Sequence, residues 1–190
     1  MPKIYLVTGN RHKVAEFAGV LEPLGVRVEP IGLEKLEIQS DSIVEVARYA
    51  ASRLPVMDAP VAVEDAGLFV EPLRGFPGPY SSYVYKTIGV EGVLRLLDGV
   101  DERDAYFLSA IGVKDTGGHV RVFTGRVDGR IALEPRGRGG FGFDPIFIPE
   151  GWRKTFAEAS MEEKNRVSHR ARAARALAEW LLDTTSGEKV

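Results

Sequence analysis

Two adjacent acids, Glu64 and Asp65, follow a short apolar segment at residues 60–63, and Gly67 comes two residues later. Carboxylates at the end of a strand, beside a glycine that lets a ligand approach, suit a hard divalent cation or a general base. The same residues also fit a turn in which the aspartate caps the backbone. Taken alone, the pattern favours the turn. Glu37, between two apolar neighbours, by itself fits a solvent-facing strand position.

A glycine turn near the amino terminus is a candidate anion site. Residues 3–8 predict a buried strand, Gly9-Asn10 a sharp turn, and the apolar positions after it a helix. Such a turn aims backbone N–H groups and the positive helix end at one point, where Lys13 adds a mobile charge for phosphate oxygens. An ordinary β–α turn with a surface lysine explains this segment equally well, and the spacing is not that of a Walker loop.

The glycine-rich segment at residues 137–145 matches the dinucleotide fingerprint Gly-x-Gly-x-x-Gly. A fingerprint must open a helix, however, and Asp144-Pro145 disfavours helix at this point. The glycines instead allow the ring of Phe141 or Phe143 to lie against a flat ligand, with Asp144 placed to hydrogen-bond it. The alternative is that these rings fill a core beside the loop.

A polar segment at residues 163–170 carries Lys164, His169 and Arg170. On one continuous helix Lys164 and His169 would point roughly 140° apart, at about 100° per residue. They converge only if the helix breaks between them, and Ser168 is suited to cap a new helix that carries His169 and Arg170 on its first turn. Without a break, the segment is a solvated basic helix.

The elements that must position these residues alternate between strands and helices. This order predicts an α/β fold with a mixed central β-sheet flanked by helices, in two lobes around a substrate cleft. We expect a single domain over residues 1–190, with an ordered core to about residue 183. Predicted strands are residues 3–8, 26–31, 60–64, 105–113, 120–127, 129–133 and 146–148, with a hairpin at residues 105–127. Four helices are predicted. The first follows Asn10, the second is capped by Ser40 or Asp41, and the third covers residues 81–98. The last has a buried stripe that runs from Val167 to Leu181.

Composition excludes several classes of protein and site. The formal net charge of −2 argues against a nucleic-acid partner, because such proteins carry a basic surplus. The absence of cysteine excludes disulfides, a thiol nucleophile and thiolate metal sites. No apolar stretch has the length of a signal peptide or a membrane span, so we expect a cytoplasmic protein without a membrane partner.

Five motifs occur in a telling order: Thr-Gly-Asn-x-x-Lys (8–13), Glu-Asp-x-Gly-Leu (64–68), Gly-x-Pro-Gly-x-Tyr-Ser (75–81), Gly-Phe-Gly-Phe-Asp-Pro-Ile-Phe (140–147) and Glu-Lys-Asn-x-x-Ser-His-Arg (163–170). Together they resemble the inosine triphosphate pyrophosphatase family, also called Ham1-like, from Ile4 to about Leu182. No single motif is diagnostic, but five at suitable distances are very specific. The resemblance implies cleavage of ITP, dITP and XTP between the α- and β-phosphates, which gives the nucleoside monophosphate and pyrophosphate.

The resemblance also implies roles for individual residues. Asp65 is the implied proton acceptor and a metal ligand, Glu37 is the second metal ligand, and the implied cofactor is Mg²⁺. The implied partners are a small nucleotide substrate and a second copy of the chain in a homodimer. The implied substrate-binding residues are Thr8, Gly9, Asn10, Arg11, His12 and Lys13 at the phosphates, Phe141, Gly142, Phe143 and Asp144 at the base, and also Ala66, Lys164, His169 and Arg170.

Specificity is expected from hydrogen-bond polarity at the six-position of the purine. Inosine and xanthosine carry an acceptor oxygen there and adenosine carries a donor amine, so donors such as Lys164 or Arg170 favour the oxygen. Phe141 is expected to stack on the base.

Two positions depart from the family pattern. Ala66 stands where the family usually has serine or threonine, which removes a hydroxyl contact to substrate. Ala50 stands where many members carry a lysine on the second helix, and Arg48 and Arg53 are the candidate substitutes. Neither change removes the acids, so we expect altered affinity and retained activity.

Two other functions stay open at this point. A Maf-type nucleotide pyrophosphatase has a related architecture with other base preferences, but the Phe-Gly-Phe-Asp and Ser-His-Arg motifs argue against it. A non-catalytic nucleotide sensor would keep the pocket and lose the chemistry, which the intact Asp65, Glu37 and Lys13 disfavour.

Overall fold

In the computed structural model, which describes residues 1–187, six strands form one sheet. The strands are β1 (Lys3–Val7), β2 (Arg27–Ile31), β3 (Val61–Val70), β4 (Asp104–Lys114), β5 (Val120–Ile131) and β6 (Phe147–Pro149). The helices are α1 (Arg11–Leu21), α2 (Ile43–Ser52), α3 (Ser81–Thr87), α4 (Gly89–Leu96), α5 (Met161–Val167) and α6 (His169–Gly187). The last three residues of the predicted domain, 188–190, lie outside the described residues.

The sheet is mixed, in the order β2–β1–β3–β4–β5–β6, which confirms the predicted fold class. β1 runs parallel to both β2 and β3, whereas β3, β4, β5 and β6 pair antiparallel. The pairing of β3 with β1 ends at Ala62, opposite Leu6, although β3 continues to Val70. The next residues of β3 therefore present an open backbone edge beside the end of β1.

Helices cover both faces of the sheet, and the apolar side chains form separate cores. Ala110 packs with α2, while the next residue, Ile111, packs with α6 on the opposite face, as the alternation along a strand requires. One large core joins β1, α1 and α6, and includes Leu177. A second joins α4, β4 and β6, and includes Val93 and Phe147.

Three predicted elements differ from the structure. The segment 60–64 was expected to be a short strand ending at the acids, but β3 runs ten residues, because Ala66 and Gly67 continue the antiparallel pairing with β4. Residues 129–133 do not form a separate strand, since β5 continues to Ile131. The helix predicted over 81–98 is interrupted at Gly89, whose φ of 64° does not fit a right-handed helix and leaves α3 and α4 as two short helices.

Helix boundaries follow side-chain caps. Ser42, rather than Ser40 or Asp41, caps α2, because its side chain accepts a hydrogen bond from the backbone N–H of Glu45. The predicted break before His169 is confirmed: α5 ends at Val167, Ser168 is extended, and its Oγ accepts from Ala171 N at 3.2 Å. Val167 therefore lies in α5 rather than in the buried stripe of α6. None of the helices within residues 1–187 combines the length and apolar character that a membrane span requires.

Candidate active site

A cleft of about 660 Å³ opens where β1 ends and β3 continues without it. Two predicted site residues, Arg11 and His12, do not line this cleft and are exposed on α1. The His12 ring instead stacks on the Phe141 ring, with centroids 5.4 Å apart. The structure brings the other predicted residues together in the lining of the cleft: Thr8, Gly9, Asn10, Lys13, Glu37, Asp65, Ala66, Phe141, Gly142, Phe143, Asp144, Lys164, His169 and Arg170.

The turn between β1 and α1 is organised by Asn10. Its Oδ1 accepts hydrogen bonds from His12 N at 2.9 Å and from Lys13 N at 3.4 Å, while Thr8 Oγ1 accepts from Asn10 N. Two of the N–H groups that were expected to face an anion are therefore taken by the cap. The side-chain charge of Lys13, rather than these amides, is what this turn presents to the cleft.

Lys13 reaches across the cleft to β3. Its Nζ lies 2.7 Å from Glu64 Oε2 and 3.3 Å from the carbonyl oxygen of Glu64. That carbonyl is free to accept a side-chain donor because β1 no longer pairs with β3 at this position. The open edge of β3 thus explains why the cleft and its cationic side chains lie here.

Glu64 and Asp65 point to opposite faces of β3 and have different environments. Glu64 faces α6 and its Oε1 accepts from Ser109 at 2.8 Å and from Arg170 at 3.1 Å. Burial alone would raise the pKa of Glu64, but the charges of Arg170 and Lys13 outweigh it and hold that pKa well below its usual range. Asp65 faces the cleft, where burial raises its pKa to about 6 against the opposing charges of two lysines. At neutral pH both groups are carboxylates.

Behind the cleft, charged side chains form a buried network that the sequence did not predict. Lys164 Nζ lies 2.6 Å from both Glu16 Oε1 and Asp144 Oδ2. Arg170 joins Glu16 to Glu64, with its NH2 3.0 Å from Glu64 Oε1. Each of these five side chains is no more than 4% exposed, so the segment at residues 163–170 is not a solvated basic helix.

Glu16 is the member of this network that sequence reasoning missed. It lies on the buried side of α1, beside Phe17 and one turn before Val20. Burial opposes its charge, but Arg170 and Lys164 outweigh burial and lower the pKa of Glu16. An acid on the apolar stripe of a helix was the available signal, because such an acid needs a buried cation.

The two rings of the glycine-rich loop have different surroundings, so each predicted alternative applies to one of them. Phe143 is 3% exposed and meets Tyr85 edge-on in the second core, which is the core-filling alternative. Phe141 is half-buried in the cleft lining, with Lys164 Nζ 5.1 Å and the Arg170 guanidinium 5.3 Å from its ring centroid. Phe141 is therefore the ring that a flat ligand can reach.

His169 is buried with an unpaired nitrogen. Its ring stacks on Phe107 at 4.6 Å, and among residues 1–187 its Nδ1 finds no hydrogen-bond partner. Burial, with the charges of Arg170 and Lys164, lowers the pKa of His169, so the ring is neutral. A buried polar atom without a partner next to a cleft is a site that a ligand can complete.

The residues present at one end of the cleft fit a divalent cation. Lys35, which sequence reasoning missed, lies 2.6 Å from Glu37 Oε1 and 3.8 Å from Asp65 Oδ1, so a single positive charge already lies between these acids. Among residues 1–187, no cluster of three or more histidine or acidic side chains is placed to hold a metal ion by itself. At nucleotide sites Mg²⁺ is commonly bound by one or two carboxylates, and water and phosphate oxygens supply its remaining ligands.

The two arginines expected to replace the second-helix lysine lie outside the cleft. Ala50 is 1% exposed on the buried side of α2, whereas Arg48 on α2 and Arg53 just after it are exposed and do not line the cleft. Ala66 lines the cleft, where it offers a methyl group and no hydroxyl. The structure therefore offers Lys35, not an arginine, beside the acids.

Known proteins resemble this chain over most of its length. A family model, described as the Ham1 family, matches residues 4–180. A Hyperthermus butylicus protein named dITP/XTP pyrophosphatase is 56% identical over 179 residues, with 94% of each chain covered. A Thermococcus kodakarensis protein of the same name is 56% identical over 182 residues, covering 95% of this chain and 98% of that protein. A solved structure described as a HAM1 protein from Coxiella burnetii matches with a TM-score of 0.82 at 30% identity, covering 96% of this chain and 100% of that chain.

Proposed function

This chain belongs to the Ham1 family, and we propose that it is a dITP/XTP pyrophosphatase, which hydrolyses non-standard purine nucleoside triphosphates to the monophosphate and pyrophosphate. The observation that carries the proposal is the cleft itself. Acids from β3 and from the loop before α2 face cationic side chains from α1, α5 and α6 across it. A triphosphate needs cations along its length, an acid near the attacked phosphorus and an aromatic surface for the base, and this cleft offers all three.

At the phosphate end, Asp65 is the proposed general base. It faces the cleft with a side chain that is 16% exposed, so a water beside it remains accessible. Asp65 would take a proton from the water that attacks the α-phosphorus, and the bond between the α- and β-phosphates would break as pyrophosphate leaves. Lys13, whose Nζ lies at the carbonyl oxygen of the neighbouring Glu64, would stabilise the charge that develops on the departing pyrophosphate.

Glu37 and Asp65 are the residues proposed to hold Mg²⁺. Their carboxylates already share the Lys35 ammonium, which marks the point where the acids concentrate negative potential. When bound there, Mg²⁺ would offset phosphate charge and lower the pKa of a coordinated water. Glu37 is half-exposed and would reorient to meet it, whereas Asp65 is held by β3.

At the base end, Phe141 would stack on the purine, and few donors remain for its six-position. Arg170 uses three of its five N–H donors on Glu16 and Glu64, and two remain. Lys164 uses two of its three N–H donors on Glu16 and Asp144, and one remains. We therefore propose the remaining donors of Lys164 and Arg170 as the groups that favour an acceptor oxygen. His169, whose Nδ1 has no hydrogen-bond partner among residues 1–187, also lines the cleft and would contact the nucleotide.

We propose three further properties, of which the homodimer rests on the family resemblance. The chain acts as one domain over residues 1–190, it forms a homodimer, and it works in the cytoplasm, where nucleotide pools are used. Size-exclusion chromatography with light scattering tests the dimer: a mass near twice 20.8 kDa supports it, and a mass of one chain contradicts it.

A substrate panel tests the activity. Pyrophosphate release is measured with dITP, XTP, ITP and the four ordinary triphosphates, with and without Mg²⁺. We expect release from the first three only, and only with Mg²⁺. ATP hydrolysed as fast as dITP would contradict the base specificity and favour a Maf-type enzyme. Nucleotide binding without pyrophosphate release would identify a sensor.

A further inference from the structure

The loop between β2 and α2, residues 32–42, sends a lysine into the cleft. The Lys35 side chain is only 20% exposed, whereas Glu34 and Leu36 on either side of it are exposed. The lysine is therefore turned inward, against the tendency of an ammonium group to stay in water. Such an orientation requires negative partners inside the cleft.

Those partners are the acids proposed to hold the metal. Lys35 Nζ lies 2.6 Å from Glu37 Oε1 and 3.8 Å from Asp65 Oδ1. It also donates to the carbonyl oxygen of Glu64 at 3.1 Å. The ammonium thus lies among the oxygens that a divalent cation would use, so cation and ammonium compete for the same carboxylates.

Lys35 and Lys13 approach one point from different elements. Lys13 donates to the same Glu64 carbonyl oxygen at 3.3 Å, so the two ammonium groups cannot be further apart than the two hydrogen bonds together reach. Each ammonium is offset by its own carboxylate, Glu64 for Lys13 and Glu37 for Lys35, so a divalent cation that takes Glu37 leaves Lys35 without its anion. A polyphosphate entering the cleft would supply that anion.

Lys35 differs from Lys164 in its freedom to move. Lys164 is held between Glu16 and Asp144, and displacing it would leave buried charges without partners. Lys35 is held by Glu37, which is 55% exposed and only two residues away on the same loop. Breaking this pair returns Glu37 to water at little cost, because exposed pairs contribute little.

We propose that Lys35 is a substrate-binding residue with two successive partners. In the nucleotide-free enzyme its ammonium neutralises the Glu37 and Asp65 carboxylates; when cation and nucleotide enter, it turns to an oxygen of the polyphosphate. This inference deepens the proposed function and rests on it. The ligand class is a polyphosphate chain bound with a divalent cation, and the base plays no part in the contact.

The test uses binding, separately from turnover. Lys35→Met removes the charge at similar length and Lys35→Arg keeps it. Lys3→Met is the matched control, because Lys3 forms an ion pair with Asp58 outside the cleft. Calorimetry measures tripolyphosphate affinity in saturating Mg²⁺, and Mn²⁺ affinity without any phosphate. Circular dichroism checks the fold of each variant.

We expect Lys35→Met to bind tripolyphosphate about 10- to 100-fold more weakly, the effect of losing one charged hydrogen bond, and Mn²⁺ more tightly. Lys35→Arg should recover most of the tripolyphosphate affinity, and Lys3→Met should match the wild type. Unchanged tripolyphosphate affinity in Lys35→Met, or a parallel loss of both affinities, would overturn the proposal and leave a structural ion pair. A failure of the proposed function is distinguishable, since it appears as wild-type protein that releases no pyrophosphate from dITP.

Discussion

Glu64 and Asp65 are consecutive residues of β3 whose carboxylates lie on opposite sides of the strand, and their pKa values are shifted in opposite directions. Glu64 is held by Arg170 and Lys13 and has a pKa well below its usual range. Asp65 faces the cleft, where burial raises its pKa to about 6. One strand therefore supplies a structural anion and the proposed proton acceptor at adjacent positions, because successive side chains alternate between faces.

Asp65→Asn should lower kcat for dITP about 10²–10⁴-fold, the usual effect of removing a well-placed general base. The fold should survive, because burial disfavours the charged form of Asp65 and the amide removes that charge. Pyrophosphate release and the thermal unfolding midpoint measure the two effects. Asp58→Asn, at an exposed acid outside the cleft, is the control. Near wild-type turnover in Asp65→Asn would remove Asp65 from the mechanism.

Phe141→Leu should raise KM for dITP about 5- to 100-fold with a smaller change in kcat, because base stacking on an aromatic ring contributes about 1–3 kcal/mol. Steady-state kinetics with dITP measures the split between the two constants. Phe123→Leu is the control, since Phe123 packs against Trp180 away from the cleft. A KM equal to that of the wild type would mean that the purine does not stack on Phe141.

Glu16→Gln should lower the free energy of unfolding by about 3–5 kcal/mol at pH 7, since Lys164 and Arg170 then lose a buried counter-ion. The wild type should also be acid-sensitive for the same reason. Folding lowers the pKa of Glu16 from its ordinary 4.5, so the unfolded chain takes up the proton first. This stabilisation is present above pH 4.5 and is lost as pH falls through the lower folded value.

Urea unfolding between pH 7 and pH 3 measures both effects of the Glu16 substitution. The fall in stability below pH 5 should be shallower in Glu16→Gln than in the wild type, because one of the titrating groups is gone. Glu22→Gln, at an exposed acid just after α1, should reproduce the wild-type curve. Parallel curves for wild type and Glu16→Gln would show that Glu16 does not stabilise the fold through its charge.

Gly67→Ala should destabilise the protein by about 1–3 kcal/mol or more, because the space at this position is already filled. A Cβ on Gly67 would lie 2.2 Å from the carbonyl oxygen of Gly78, which is backbone and cannot turn aside. Gly32→Ala is the control, since a Cβ there meets nothing within 4 Å. Denaturant unfolding compares the two, and equal stabilities would mean that the segment at Gly78 yields without strain.

Local patterns predicted the parts of the site that depend on short-range chemistry. Ser168 was predicted to cap a helix that begins at His169 because serine is a preferred N-cap residue, and the structure has that cap. The predicted end of β3 at Glu64 was wrong because Ala66-Gly67 fits a turn as well as a strand. Only the pairing with β4 decides between turn and strand. The mixed sheet followed from the alternation of strand and helix patterns.

The missed residues depend on partners far away in the chain. Glu16 contacts residues 148 and 154 positions later, and no local pattern reports such a contact. Lys35 lies in a loop of exposed side chains, where a lysine is ordinary, and its inward direction appears only beside Asp65 and Glu64. Arg48 on α2 and Arg53 just after it had the right charge, but both are exposed and lie outside the cleft lining.

The link from Glu16 through Arg170 to Glu64 joins the first helix, the middle of the sheet and the last helix. A chain that ends before Arg170 would keep Glu16 and Glu64 without the cation that bridges them, and burying acids that have lost a partner costs free energy. We therefore expect closure of the nucleotide pocket, and with it pyrophosphate release, to require the last helix.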